Sequence, residues 1–211
     1  NRLLVYKTTD AGNTWDTVLY AYDNPYGISV VNTNTAYFLV QQQGQQDTIF
    51  KTTDGANSFD TLSISFPTGI LLFPYVTWNS LYFLNTDTGF ALADSGRMVR
   101  TYNGGLTWDA INTGTIASLK RVFFPTDETG YLMTFPNWLL KTIDGGNSWF
   151  QLPIPVTSGE PMYFINKDTG YVISGNGTIR KTTDGGLTWV FQTSGTTENQ
   201  NDIFFVNDTM G

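Results

Sequence analysis

A nine-residue motif returns five times along this chain: a basic residue, a Thr-rich turn, a Gly pair or near-pair, then an aromatic. The copies are Lys7–Trp15 (KTTDAGNTW), Lys51–Phe59 (KTTDGANSF), Arg100–Trp108 (RTYNGGLTW), Lys141–Trp149 (KTIDGGNSW) and Lys181–Trp189 (KTTDGGLTW). The aspartate position falls at 10, 54, 103, 144 and 184, so successive copies lie 44, 49, 41 and 40 residues apart. Repeats of that length are single supersecondary units that cannot bury a hydrophobic face alone and therefore stack. A period of roughly 40–50 residues matches propeller blades.

Composition agrees with many short strands and tight turns. Of 211 residues only 14% are charged and 15% are aromatic, while Thr, Asn and Gly abound. Such residues favour pleated strands and turns over helices. The net charge of −7 repels phosphate backbones and anionic lipid, so nucleic acid is not an expected partner. The longest apolar run, Gly69 to Val76, is interrupted by Pro74 and falls far short of the roughly 20 residues of a membrane-spanning helix. No membrane insertion is expected. Cysteine is absent, so no disulfide contributes. The chain shows no signal peptide and begins at Asn1, which suggests a processed or excised piece. Its acidic, Lys-poor composition suggests an extracellular, cell-surface or periplasmic bacterial protein.

Each repeat has two halves. The first is strand, acidic turn, strand, clearest in Leu81–Leu92 and Met162–Ile173, repeated in Val122–Met133 and weaker in Ser29–Leu39, where Ala36 takes the Gly position. These runs lack clean alternation, as expected for strands covered on both faces. A short hairpin then leads to a third strand ending at the basic residue (Thr48–Lys51, Met98–Arg100, Leu139–Lys141, Ile179–Lys181). The box follows, and its aromatic opens a fourth, outer strand: Trp15–Tyr20, Phe59–Ser65, Trp108–Ile111, Trp149–Leu152 and Trp189–Gln192. Four antiparallel strands make one blade. The expected fold is an all-β propeller of such blades, with residues 1–211 forming one propeller domain or part of one. Asn1–Lys7 aligns with the second half of a repeat and Ile203–Gly211 with the first. The ends either complete a five-bladed ring lacking one short strand or belong to a longer array of six to eight blades. The array is favoured, because an inner strand left unpaired is a liability.

The pattern Thr-x-Asp-x-Gly-x-Thr-Trp resembles the Asp-box, or bacterial neuraminidase repeat. With Asp-Thr-Gly-Tyr ahead of Lys-Thr-Thr-Asp-Gly-Gly-x-Thr-Trp, the chain is most similar to the non-enzymatic propellers related to the photosystem II assembly factor. The resemblance covers essentially the whole chain. It implies a seven-bladed propeller, structural box residues Asp10, Asp54, Asn103, Asp144 and Asp184, and box tryptophans Trp15, Trp108, Trp149 and Trp189 packed between blades. Asn103 in the third copy, and Ala56 with Phe59 in the second, depart from the pattern and should make weaker turns. Physically the box is a structural device. Its carboxylate suits backbone N–H groups of its own turn, its glycines permit a tight path, and the indole N–H finds an acceptor. The repeated Lys/Arg either covers apolar surface with its stem, the head solvated or paired with a turn carboxylate, or forms a ring of cations for an anionic partner.

Asp-box propellers also include sialidases and xyloglucan-type glycoside hydrolases, so enzyme is the alternative. Histidine is absent, which removes Ser-His-Asp chemistry and His-bearing metal sites. The five arginines sit on or next to repeat positions and form no evident trio for a carboxylate clamp. Glycoside hydrolysis needs two carboxylates across a cleft. Four of the eighteen acids lie in boxes, five in acidic turns and three just after the box aromatic. Asp23, Asp47, Asp94, Glu160, Glu198 and Asp202 remain, and no spacing commends a pair such as Asp94 with Glu160. No run of calcium ligands appears, and no metal or cofactor is expected. Binding is better supported. Aromatics outside the repeat gather in loops: Tyr22 and Tyr26, then Phe73, Tyr75 and Trp78, then Phe135 and Trp138 at a hairpin tip. Exposed Trp and Tyr anchor proteins and sugar faces, whereas the plainer reading has them capping the blade ends. Trp138 is the strongest candidate, with Phe135, Trp78, Tyr75 and Tyr26 beside it. The expected function is a non-catalytic scaffold that binds other proteins or other domains of its own polypeptide. The alternative is a glycan-binding or hydrolytic module.

Overall fold

The computed structural model describes residues 3–21, 24–41, 48–64, 78–136, 138–153, 161–207 and 209–211. Among them there is no helix, and every regular element is a strand. A two-stranded sheet pairs β1 (Leu3–Lys7) with β2 (Asp16–Ala21). Four antiparallel four-stranded sheets follow, each in chain order. Blade I is β3 (Asn24–Val30), β4 (Ala36–Gln41), β5 (Thr48–Thr52) and β6 (Asp60–Ser63). Blade II is β7 (Trp78–Phe83), β8 (Gly89–Ala93), β9 (Arg97–Thr101) and β10 (Asp109–Asn112). Blade III is β11 (Ser118–Phe123), β12 (Gly130–Phe135), β13 (Leu139–Thr142) and β14 (Phe150–Gln151). Blade IV is β15 (Met162–Phe164), β16 (Gly170–Ser174), β17 (Thr178–Thr182) and β18 (Val190–Gln192). This is the all-β propeller the repeat predicts.

The described chain divides into two compact units, residues 1–94 with 98–110, and residues 95–97 with 111–211. In the first, the core gathers Tyr37, Leu39, Ile49, Trp78, Phe83, Val99 and Trp108. The core of the second gathers Tyr131, Met133, Leu139, Leu152, Phe164 and Val172, with Trp189 against it. The second strand of a blade is covered on both faces, as β8 is throughout, so its residues run apolar without alternation. The outermost strands β6 and β10 are mostly exposed.

Strand boundaries depart from the sequence reading at two places. The outer strands begin one residue after the box aromatic, at Asp16, Asp60, Asp109, Phe150 and Val190, because the aromatic is still committed to the turn. The inner strands begin earlier than the apolar runs suggest. Asn24, Pro25 and Tyr26 belong to β3, not to a loop, and Trp78 opens β7. Both strands carry an irregularity in register, between Pro25 and Gly27 and between Trp78 and Ser80. Pro25 has no N–H to donate, so a bulge is where a strand tolerates it.

A steric pairing explains the Gly that opens the second strand. A Cβ at Gly89 would lie 2.6 Å from the Phe83 ring, and one at Gly130 would lie 2.6 Å from Phe124. Phe164 crowds Gly170 in the same way. In blades II, III and IV the phenylalanine at or just after the end of the inner strand therefore packs against the glycine that opens the next strand. Blade I carries Val30 and Ala36 at these two positions, and Val30 is exposed where the phenylalanines are buried.

The second box needs a left-handed residue where it has Ala. Ala56 sits at φ 68°, while Gly105, Gly146 and Gly186 occupy the same place at 91°, 86° and 90°. An L-residue pays about 1–2 kcal/mol there. Ala56→Gly is expected to raise stability by about 1 kcal/mol, read as a higher urea midpoint, against the usual loss when Ala becomes Gly.

Candidate functional site

The five boxes share one hydrogen-bond scheme. In the last, the Asp184 Oδ1 accepts the Thr188 N–H at 2.9 Å and the Thr182 hydroxyl at 2.8 Å. Its Oδ2 accepts the Thr188 hydroxyl at 2.5 Å, and the Thr182 Oγ1 in turn accepts the Gly186 N–H at 2.9 Å. Asp10, Asp54 and Asp144 do the same with Thr14, Ser58 and Ser148. Both carboxylate oxygens are thus used inside a single turn. Asn103 reproduces the scheme by turning its amide: Oδ1 accepts the Thr107 N–H and Nδ2 donates to the Thr107 hydroxyl. The third box keeps the same bonds, now neutral rather than charge-assisted.

Hydrogen bonding holds these carboxyls well below their ordinary value. Asp184 is lowered from 3.8 to about 2, chiefly by the Thr188 hydroxyl and then the Thr188 N–H. Asp10, Asp54 and Asp144 also fall to about 2, led in each case by the Ser or Thr hydroxyl four residues on. A group that ionises more easily when folded adds stability above its unfolded value, and loses it as pH falls towards its folded one.

The Thr after each basic residue is a hub that the sequence reading passed over. Thr52, Thr101, Thr142 and Thr182 are buried, and each receives a backbone N–H while donating to its Asp or Asn. Its signal was available, since Thr stands there in all five copies.

Three of the four repeated lysines, all half-buried, donate to backbone carbonyls of the next box. Lys51 Nζ donates to the Gly104 carbonyl at 3.2 Å and Lys141 Nζ to the Gly185 carbonyl at 3.0 Å, and Lys7 Nζ donates likewise to Gly55. Each acceptor is the first glycine of the following box. The same glycines donate their N–H to the turn of their own blade, Gly104 to Asp87 and Gly185 to Asp168, both at 2.8 Å. Strand register sets Lys51 opposite Tyr37 and Lys141 opposite Tyr131, with each ammonium 5.3 Å from the ring centre. Those tyrosines bind the next blade too. Tyr37 stacks on Phe83 at 3.4 Å and donates to the Thr86 carbonyl, while Tyr131 stacks on Phe164 at 3.4 Å and donates to the Lys167 carbonyl. Burial and then the Asp87 charge push the Tyr37 hydroxyl up to about 12. Burial likewise raises Tyr131, ahead of the Asp168 and Asp184 charges, and lowers Lys141. The ring of free cations is corrected to a blade-to-blade latch at these lysines.

The box tryptophans divide. Trp108 is buried and edge-on to Phe83, and its indole N–H donates to the Gly105 carbonyl. Trp189 donates to Gly186 and meets Phe164 in the same way. Trp15 keeps the bond to Gly12 yet is 58% exposed, so it is not packed between blades. The buried indole N–H of Trp149 has no hydrogen-bond partner among the described residues.

The predicted contact aromatics separate as well. Trp78 is 4% exposed in the first unit's core and cannot present its face, because β7 turns it inward. Tyr75, Phe73 and Tyr22 lie outside the described residues, as does the side chain of Tyr26. Phe135 and Trp138 are 51% and 45% exposed where β12 turns into β13. Thr134, fully buried, holds that turn. Its N–H donates to the Trp138 carbonyl at 2.9 Å, and its Oγ1 accepts the Trp138 N–H at 3.2 Å. Of the acids left over, Asp94 accepts Asn79 Nδ2 at 2.9 Å and Asp202 pairs with Arg121 at 3.3 Å, both on the surface. Glu160, Asp23 and Asp47 lie outside the described residues. Among those described, no group of three or more acids gathers as metal ligands, and no helix is long and apolar enough to cross a membrane.

The fold is similar to YCF48 from Cyanidioschyzon merolae, with TM-score 0.70 and 18% identity over 97% of this chain and 71% of that one. YCF48 bound to D1 peptide is similar at TM-score 0.50 and 15% identity, over 97% and 81%. So is a GH74 enzyme from Niastella koreensis, at TM-score 0.62 and 18% identity, over 88% of this chain but 33% of the enzyme. An ancestral GH74 enzyme gives 0.66 and 18%, over 93% and 29%. No protein-family model and no curated protein matches the sequence.

Two outcomes test this chemistry. Asp184→Ala is expected to lower the melting temperature clearly and Asp184→Asn only slightly, since Asn103 shows that an amide can close the turn; the acid-induced loss of stability between about pH 4 and pH 2 should shrink in both variants. Tyr131→Phe leaves the Lys167 carbonyl without its donor and should cost about 0.5–1.5 kcal/mol in denaturant titration.

Proposed function

We propose that this propeller, whose fold resembles the YCF48-like family, is a non-catalytic platform that holds protein partners and takes an extended peptide segment at the β12–β13 turn. The observation that carries the reading is the exposed pair Phe135 and Trp138, mounted on a tip that Thr134 fixes from below. Aromatic side chains supply large contact area for few rotatable bonds and dominate binding energy where they are desolvated. The bonds between Thr134 and Trp138 restrain Trp138 before a partner arrives, and a restrained contact loses less freedom on binding. The repeat itself offers little reactive chemistry, because the box carboxylates and three of its lysines are spent on turns and latches. That YCF48 has been solved with a D1 peptide supports a peptide as the class of partner. Other domains of the same polypeptide are partners of the same kind. The acidic, Lys-poor composition rich in Thr, Asn and Gly supports an exported or cell-surface protein.

A second reading is favoured by the likeness to GH74 enzymes. In it the aromatic pair faces a sugar ring, and the module binds or hydrolyses glycans. The two readings part on one experiment. The parent protein and a Phe135→Ala/Trp138→Ala double variant are panned against a random-peptide display library. The variant should melt at the parent's temperature and bind the enriched peptides about 30-fold more weakly or worse, the roughly 2 kcal/mol of an aromatic hot spot. Equal binding by the variant would place the contact elsewhere. Sugar release by the parent from xyloglucan or a sialoside would establish the second reading.

A further inference from the structure

We draw no further inference here: the strongest candidate, the cavity of about 470 Å³ beside blade IV, lined by Tyr171, Ile173, Ile179, Phe204 and Phe205, carries nothing because nothing in the structure shows what covers that apolar face.

Discussion

The closure of each box by a short-range carboxylate or amide is the interaction on which the remaining architecture depends. Left-handed glycines make the turn possible, but backbone freedom alone does not select one path. Two oxygens that accept three hydrogen bonds within seven residues do select it. The result is a fixed position for the first box glycine, whose N–H faces its own blade and whose carbonyl faces the preceding lysine. A local device thereby presents a long-range acceptor. Because the Thr hub is buried while the carboxylate stays at the surface, the turn gains order without taking a charge out of water, which would be costly.

The latch explains how repeats with weak individual cores become units. Lys and Tyr lie opposite one another on adjacent strands of one blade and both engage the next, the ammonium at the box and the hydroxyl at the acidic turn. Stacking of Tyr131 on Phe164 and of Tyr37 on Phe83 adds apolar burial at the same place. The phenylalanine does a third thing by lying over the glycine that opens its own second strand. One turn, one cross-strand pair and one Phe–Gly contact therefore serve the blade and its junction together. In blade II the cross-strand pair is Phe90 with Arg100, so no hydroxyl is present there to repeat the tyrosine bond.

Much of this was readable from sequence because the repeat multiplies every signal. Five copies of the box set the fold class, the blade length and the structural role of its carboxylates. In the acidic turns the side-chain acceptor is Asn85 or Asn166, and the neighbouring aspartate is exposed. What escaped was long-range. The lysine's partner lies 44 residues away at Gly185, and no local pattern names a backbone carbonyl at that distance. Trp78 looked like a loop aromatic because the register irregularity at the start of β7 hides its strand. Phe135 and Trp138 stand out in the sequence because they interrupt the repeat at a hairpin, and both side chains are exposed.

Functional inference then works by subtraction. The box carboxylates and three of the repeated lysines are engaged in turns and blade contacts, while Phe135 and Trp138 are exposed. The central claim is that the recurring carboxylates belong to their own turns, and carboxyl-carbon NMR titration of Asp10, Asp54, Asp144 and Asp184 tests it most directly. The account predicts four midpoints of about 2. Midpoints at or above the ordinary 3.8 would contradict it.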